Sequence, residues 1–421
     1  MKKLIGVMTA AAVVAIGLTG CAGSPSSQAG EKVSLTFWHG YTEADGGVLD
    51  NIVKQFNSSQ KNITIKTQTK TWAVIDDTLL PALSSKNGPD IVAMTSDRLP
   101  VYAKKNALIN LDDFYSQASS NTSNLKTEAV SMETVAGKKF GVPSGFVPLS
   151  VIYNKTLFAA AGITAFPTTW DEWVADAKKL TVDANGDGTP EQYGLALPDH
   201  ATVGNGIWPS LFAGNGGSIT NVGATKATID SKANVETLTY WAKAIRDDKI
   251  SPTGLDGIGA DKLFTAGKTA MEVGGPWMAG VATASKIDYG LAAIPAGPKA
   301  QAASAIGISL AVTAQTTPAK QKAAEQFLAY FNKKSTATAW SLGSGWPPLR
   351  TDVSAADVQA NATVASLTKI APNTLALLPG VVNSTDVLTA IDTATQKAVA
   401  GADPAQLLKD AQSSIQQALA K

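Results

Sequence analysis

Apolar positions along this chain follow two alternating rhythms. Val33 to Trp38 (VSLTFW) reads as a strand that ends in a loop at His39 to Gly47. Val48, Leu49, Ile52, Val53 and Phe56 then recur at helical spacing. Ile63-Thr64-Ile65 alternates as a second strand, and Ile75 to Leu83 predicts a second helix. Asp90 to Met94 reads as a short buried strand after the Gly88-Pro89 turn. This βαβα order argues for a mainly parallel sheet with helices on both faces. Such sheets bind ligands in the crevice beyond the carboxyl ends of their strands, so the loops after Trp38 and Met94 are the first places to look.

A second block starts near Leu149. Val151-Ile152-Tyr153 is strand-like, and Thr169-x-x-Glu172 is a capping box for a helix continued by Trp173, Ala177 and Leu180. Val235 to Ile245 predicts another helix, with Leu238, Trp241, Ala242 and Ile245 on one side. Ile306 to Thr313 returns as a strand. Thr317-Pro318 and Asp403-Pro404 each open a helix with an N-cap and Pro at the first position. Leu408, Ala411, Ile415 and Ala418 form the apolar stripe of the last helix. The pattern is one of two α/β blocks, crossed by the chain more than once, with no short internal repeat.

Composition narrows the class. With 421 residues, 44% hydrophobic and 16% charged, the chain has material for a sizeable core and two or three domains. Lys and Arg (35) nearly cancel Asp and Glu (34), so no global field draws nucleic acid. One Cys excludes an internal disulfide framework and a Cys-based zinc site, and two His exclude a His-rich metal centre.

The start of the chain accounts for the lone Cys. Met1-Lys2-Lys3 is a short positive stretch, and Leu4 to Gly17 is apolar but too short to span a bilayer. Leu18-Thr19-Gly20-Cys21 resembles a bacterial lipobox. Residues 1–20 are thus expected to be a signal peptide, and Cys21 the lipid attachment point. Residues 21–30 would form a polar tether that holds the folded part off the membrane. The alternative is an ordinary secreted protein with an incidental Cys.

Nine ordered signposts run through the mature chain: FWHG (37–40), GPDIV (88–92), SDR (96–98), FGVP (140–143), VIYNKTLF (151–158), PTTWDEW (167–173), FTAGKTAM (264–271), GGPWM (274–278) and IPAGP (294–298). Together they resemble the lipid-anchored solute-binding proteins of ABC importers, specifically the maltose-binding-protein-like carbohydrate branch. The resemblance implies a two-lobed α/β, periplasmic-binding-protein-like fold with the ligand cleft at the hinge. Crossings are expected near Pro148–Ser150, Ala305–Ile308 and Leu342–Pro348. One lobe would hold 31–148 plus 309–342, the other 150–305 plus 349–421. It further implies a monomer that captures a carbohydrate, carries out no catalysis, and works with permease transmembrane subunits and a cytoplasmic ATPase.

A sugar needs aromatic faces for its C–H surfaces and planar polar groups for its hydroxyls. Trp277, after Gly275 in GGPW, stands where the family often places a stacking aromatic; the alternative is a core Trp. Asp97 and Arg98 match the family's Asp-Arg pair for sugar hydroxyls, against a surface ion pair as the alternative; Thr95 and Ser96 add hydroxyls. Trp38 and His39 follow the first strand, with His39 expected to bond a ligand hydroxyl. Glu43 matches a position that carries a sugar-binding Lys in the family, with the charge reversed, and Val147 replaces a family Glu. The family's C-terminal clamping aromatic is absent around Pro379–Val382, so maltose itself is not the expected ligand. Trp72, Trp208 and Trp346 are further candidates, Trp170 and Trp173 are expected to pack, and Tyr153 and Asn154 to be structural. Arg350 is placed either to reach the cleft or to form an ion pair near the hinge.

Other readings remain open at this level. Asp183-x-Asn185-x-Asp187-Gly188-Thr189-x-Glu191 alternates oxygen side chains as in a calcium loop, with Thr189 giving its carbonyl. Its twelfth position is Gly194 rather than Glu, and the alternative is an Asx-rich turn without an ion. A related branch binds glycerol-phosphate esters; Arg98 and Arg350 keep that reading open, while Asn373 to Asp386 has no cation to favour it. A secreted glycoside hydrolase would need two carboxylates at a set separation. No GxSxG elbow is present.

Overall fold

The computed structural model describes residues 32–42, 44–199, 206–370 and 374–420. The expected signal peptide, Cys21 and the tether lie outside these residues, as do Glu43 and His200. The first block is β1 (Val33–His39), α1 (Ala44–Ser59), β2 (Ile63–Thr69), α2 (Trp72–Ser84) and β3 (Ile91–Thr95), in the expected order. Leu35 and Phe37 point to one face of β1 and pack with Leu49 and Phe56 of α1; Trp38 points to the other and packs with Ile75 and Leu79 of α2. This alternation covers both faces of the strand. Short helices α3 (Leu99–Lys104), α4 (Asp112–Ser116) and α5 (Thr127–Met132) lead to β4 (Thr134–Val135), β5 (Lys138–Lys139) and β6 (Val142–Pro148).

The second block opens with β7 (Ser150–Asn154), α6 (Lys155–Ala160) and α7 (Trp170–Leu180), the last with the expected Thr169–Glu172 capping box. It continues through α8 (Ile207–Gly214), α9 (Lys232–Arg246), α10 (Gly257–Thr265), β8 (Met271–Gly274), α11 (Trp277–Ala284) and β9 (Tyr289–Ala293). Then come β10 (Ala303–Val312), α12 (Pro318–Phe331), α13 (Lys334–Ser344), α14 (Ala355–Val358), α15 (Ala362–Ile370), β11 (Thr374–Ala376), α16 (Ser384–Val399) and α17 (Pro404–Ala420). Thr317 caps α12, and Asp403 accepts from the Ala405 and Gln406 amides at the start of α17.

Two sheets result. The first runs β11-β10-β3-β1-β2, with β6 also on β10. Its β1–β2, β1–β3 and β10–β11 pairs are parallel, whereas β10 runs antiparallel to β3 and β6. The second is β8-β7-β9, paired antiparallel, with a parallel bridge from Ala196 to Glu272. The two-lobed α/β frame is thus as expected, with parallel pairing concentrated in the first lobe. Hydrophobic spacing reports burial and cannot report strand direction. Trp173 and Trp241, both fully buried, meet edge-to-face 5.2 Å apart in the second lobe's core.

The chain crosses between lobes at Pro148–Ser150 and along β10. After α13 it does not leave the first lobe at once. Leu349–Asp352, expected in the second lobe, is bonded to first-lobe residues: the Lys126 amide donates to Leu349 O at 2.8 Å and the Thr351 amide to Asn124 O at 2.8 Å. Among the described residues no helix is long and apolar enough to cross a membrane.

Helix α9 presents Leu238, Trp241 and Ile245 to the core and is capped by Ser231, whose side chain accepts from the Asn234 amide. Ser231→Ala is expected to cost about 1 kcal/mol. A lowered urea midpoint with an unchanged m-value checks it.

Candidate ligand cleft

Three tryptophans at the junction of the lobes share one device: each indole lies against the backbone of a glycine. A Cβ on Gly40 would stand 2.2 Å from the Trp72 ring, one on Gly275 2.1 Å from Trp277, and one on Gly145 2.6 Å from Trp346. Only glycine allows so close an approach. Trp72 opens α2 at the carboxyl end of β2, and Trp277 opens α11 just after β8; both are half-buried. Each therefore offers ring surface at a strand's carboxyl end, where ligands of α/β sheets bind.

The loop after β1 ties these rings together. Tyr41 meets Trp72, Trp340 and Trp346 edge-on, with centroids 5.3, 5.1 and 6.3 Å away. Ser144, the extra residue where the β6–β10 register shifts, lies 2.8 Å by its Oγ from the Tyr41 hydroxyl. Its carbonyl accepts from Trp340 Nε1 at 2.8 Å. Trp346 Nε1 donates to Asp45 Oδ2 at 3.3 Å. Asp45 in turn lines a cavity of about 430 Å³ with Trp277, Tyr289, Ser344, Gly345 and Asn361. Both lobes contribute to this cavity, and its size suits a small ligand.

A polar edge lies at the end of β3. Asp97 is buried, and its Oδ2 accepts no hydrogen bond although Arg98 Nε stands 3.7 Å away. Arg98 Nε is closer to Asp76 of α2, at 3.3 Å. Burial pushes the Asp76 carboxyl up to about 6, against the pull of Arg98. Ser384 Oγ, opening α16, donates to the Asp97 carbonyl at 2.6 Å. Helix α16 packs on α9 and α17, so this bond joins the two lobes directly.

Several expected contact residues sit elsewhere. His39 is fully buried on the α1 side of β1, edge-on to Phe37 at 5.6 Å, with Nε2 3.9 Å from Asp50 and 3.5 Å from Thr69 Oγ1. Burial holds its imidazole below the ordinary value, so it is a core histidine rather than a cleft donor. Trp38 is buried on the opposite face under Lys70, whose Nζ lies 4.4 Å from the ring centre. Ser96 points inward to Ser309 and Glu133, and Thr95 is buried. Trp208 is a core residue of α8, with Nε1 donating to Pro198 O at 3.0 Å. Arg350 is buried too; it pairs with Asp352 at 2.7 Å and donates to the Asn121 and Asn332 carbonyls. Trp346 is only 4% exposed, so it orients Asp45 more than it offers a face. Of the expected set, the structure brings Gly275 with Trp277, and Asp97 with Arg98, to where the lobes meet, and Trp72 against Gly40 and Tyr41 in the first lobe. Tyr41, Asp45, Tyr289 and Ser384 join them without having been singled out. The first two lie in the loop flagged after β1; nothing in the sequence marks Ser384.

The Asp183–Glu191 loop closes on itself. Asp183 accepts from the Gly186 and Gly188 amides at 2.8 Å each, Asn185 from Asp187, Asp187 from Thr189, and Glu191 from Ala184. Lys249 Nζ donates to Gly188 O at 2.6 Å, bringing its own positive charge. Among the described residues no group of three or more His, Cys, Asp or Glu converges as a metal site. These side-chain-to-amide bonds build an Asx-rich turn.

The profile of the bacterial extracellular solute-binding protein family matches residues 51–366, and the chain belongs to this family. The diacetylchitobiose binding protein DasA of Streptomyces coelicolor is 28% identical over 351 residues, covering 78% of this chain and 77% of that protein. The maltodextrin-binding protein MdxE of Bacillus subtilis is 26% identical over 322 residues, covering 72% and 69%. Among solved structures, the maltose/maltodextrin-binding domain from Bdellovibrio bacteriovorus bound to maltotriose superposes with a TM-score of 0.80 at 21% identity, over 92% of this chain and all of that one (100%). The cyclic alpha-maltosyl-1,6-maltose binding protein from Arthrobacter globiformis gives 0.78 at 24%, over 92% and 99%. These likenesses show the shared fold. The relatives are binding proteins rather than enzymes.

Two outcomes follow from the geometry. Gly275→Ala would drive a methyl into the Trp277 ring, so the near-ultraviolet circular dichroism should change while the far-ultraviolet spectrum stays. For Asp76, a folded value of about 6 against an ordinary 3.8 means that the folded state binds the proton more tightly. Its contribution is complete below the lower value and is lost as pH rises through the higher one. Melting temperatures between pH 4 and about 6.5 should therefore fall less steeply in Asp76→Asn than in the wild type.

Proposed function

We propose that this protein captures a carbohydrate of oligosaccharide size outside the cytoplasmic membrane and delivers it to an ABC permease. The observation that carries this reading is the half-buried indole of Trp277 beside Asp45 in a cavity lined by both lobes, with Trp72 and the Asp97–Arg98 turn at neighbouring strand ends of the first lobe. Trp72 and Trp277 offer the faces, on opposite lobes. Asp97, Arg98 and Asp45 offer the carboxylates and guanidinium that a hydroxyl-rich ring requires. The names of the sugar-binding relatives point the same way. Contacts to both lobes make the closed form the one that a ligand selects. The chain acts without covalent chemistry, as a monomer, held to the membrane by acyl chains on Cys21.

The phosphate-ester reading is weaker. Of the two arginines that favoured it, Arg350 is buried in an ion pair and Arg98 stands between two carboxylates. A phosphate would meet negative charge there.

A ligand that binds only the folded state raises the melting temperature as its concentration rises. A thermal-shift panel of maltotriose, diacetylchitobiose, a galactooligosaccharide, glycerol phosphate and Ca²⁺ with a chelator tests the reading. A shift with an oligosaccharide alone is expected; a shift only with glycerol phosphate would overturn the carbohydrate assignment. Trp277→Ala should weaken that binding by roughly 2–3 kcal/mol and leave the fold intact. Unchanged affinity, measured by calorimetry, would remove Trp277 from the site.

A further inference from the structure

Behind the Asp97–Arg98 turn lies a buried carboxyl group that the cleft chemistry does not use. Glu133 caps the end of α5 and is fully buried. Ser96 Oγ donates to its Oε1 at 3.4 Å and lies 2.8 Å from Ser309 Oγ on β10, which also bonds the carboxyl. Its Oε2 has no hydrogen-bond partner and rests against Gly141, where a Cβ would stand 2.1 Å away. A second glycine, Gly307 of β10, makes room for Ser96: a Cβ there would come within 2.7 Å of Ser96 Oγ. The Ser96 amide donates to Gly307 O at 2.9 Å, and the Arg98 amide closes the turn onto Thr95 O at 3.0 Å. The next residue along, Asp97, carries the unpaired carboxylate oxygen of the cleft.

We propose that Glu133 is a positioning residue for the cleft: by binding Ser96 and Ser309 together it fixes the Asp97–Arg98 turn to β10, the strand that crosses between the lobes. The proposal rests on Asp97 and Arg98 facing the ligand. A half-satisfied buried carboxyl is costly when charged and acceptable when neutral. Burial pushes Glu133 up to about 8, with the two serine hydroxyls pulling the other way. The titratable groups around it are phenols: Tyr115 of α4 and Tyr41 after β1, both raised by burial and by this carboxyl. Lys139, paired across the β4–β5 ladder with Thr134, is engaged by Asp112 at 3.7 Å and lies over the Tyr115 ring. Glu133 therefore holds its proton at neutral pH and loses it on mild alkalinisation, which leaves a charge with no cation among the described residues to meet it. The serine hydroxyls favour the charged form but do not offset its burial, so an opening that hydrates the carboxylate gains ground as pH rises, and the turn bonded through Ser96 opens with it.

Amide hydrogen exchange on the ligand-free chain, corrected for intrinsic rates, tests this at the two amides named. Glu133→Ala should speed exchange at Ser96 and Arg98 about tenfold at pH 7, the scale of one lost buried hydrogen bond, while β1 and β2 stay protected. Glu133→Gln, which is neutral and of the same shape, should preserve protection. Raising the wild type from pH 7 to about 9.5 should reproduce the local speeding, and Glu133→Gln should not respond. Equal protection of the turn in Glu133→Ala, or a uniform rise across every strand, would overturn the proposal. So would a Glu133→Gln response identical to that of the wild type. If Glu133→Ala does not fold, the pH comparison decides alone. Failure of every sugar to bind would remove the carbohydrate reading without altering this result.

Discussion

Strand β10 is the constraint on which the rest depends. All ten of its residues are buried, and it pairs with β3, β6 and β11. Its first residues bond the second lobe: the Leu149 amide donates to Ser304 O, and the Ser304 amide to Ser210 Oγ of α8 at 2.8 Å. Its last residues are the middle of the first lobe's sheet. A strand paired along both edges and buried on both faces cannot slip, because a one-residue shift would exchange the packing of its two faces and break its ladder bonds. Closure of a cleft by a hinge of a few crossings would therefore have to bend this strand rather than slide it.

The cleft is built from what this strand leaves exposed. Its antiparallel neighbour β6 carries the extra residue Ser144, which gathers Tyr41 and Trp340. Its other neighbour β3 ends in Asp97 and Arg98, which are tied back to β10 through Ser96. The aromatic side of the cleft needs close backbone approach, and glycines at 40, 145 and 275 supply it. The polar side carries the carboxylate oxygen of Asp97 that accepts no hydrogen bond, which a hydroxyl-rich ligand would complete under the proposed function. Rigid scaffold and unfinished polar edge are thus two consequences of the same buried strand.

The elements were legible because each depends on local rules. The β1-α1-β2-α2-β3 order, the caps at Thr169, Thr317 and Asp403, and the stripe of the last helix are all visible in spacing and cap residues. So were the existence of two α/β lobes and the loop after β1. The cleft was less legible. Trp38 and His39 are neighbours in a strand, so they face opposite sides, and neither side is the cleft. Trp208 and Trp277 both open helices in the second lobe, yet one packs inward on Pro198 and the other folds over Gly275. Arg350 follows two prolines near the hinge, and only its bonds to Asn121 and Asn332 reveal that it belongs to the first lobe.

By itself the sequence determined which segments are helix or strand, the family's signposts and the types of side chain available to hold a sugar. Those properties arise from neighbours within a few residues, and periodicity records them. The tertiary structure decided which aromatic rings keep a free face, which carboxylate is left unpaired and where the hinge segments return. Each of these turns on partners far apart in the chain: Gly40 with Trp72, Gly145 with Trp346, Ser96 with Ser309, Asp97 with Ser384. Such pairings form only when the lobes pack, because the burial that selects them is shared between segments that carry no local sign of one another.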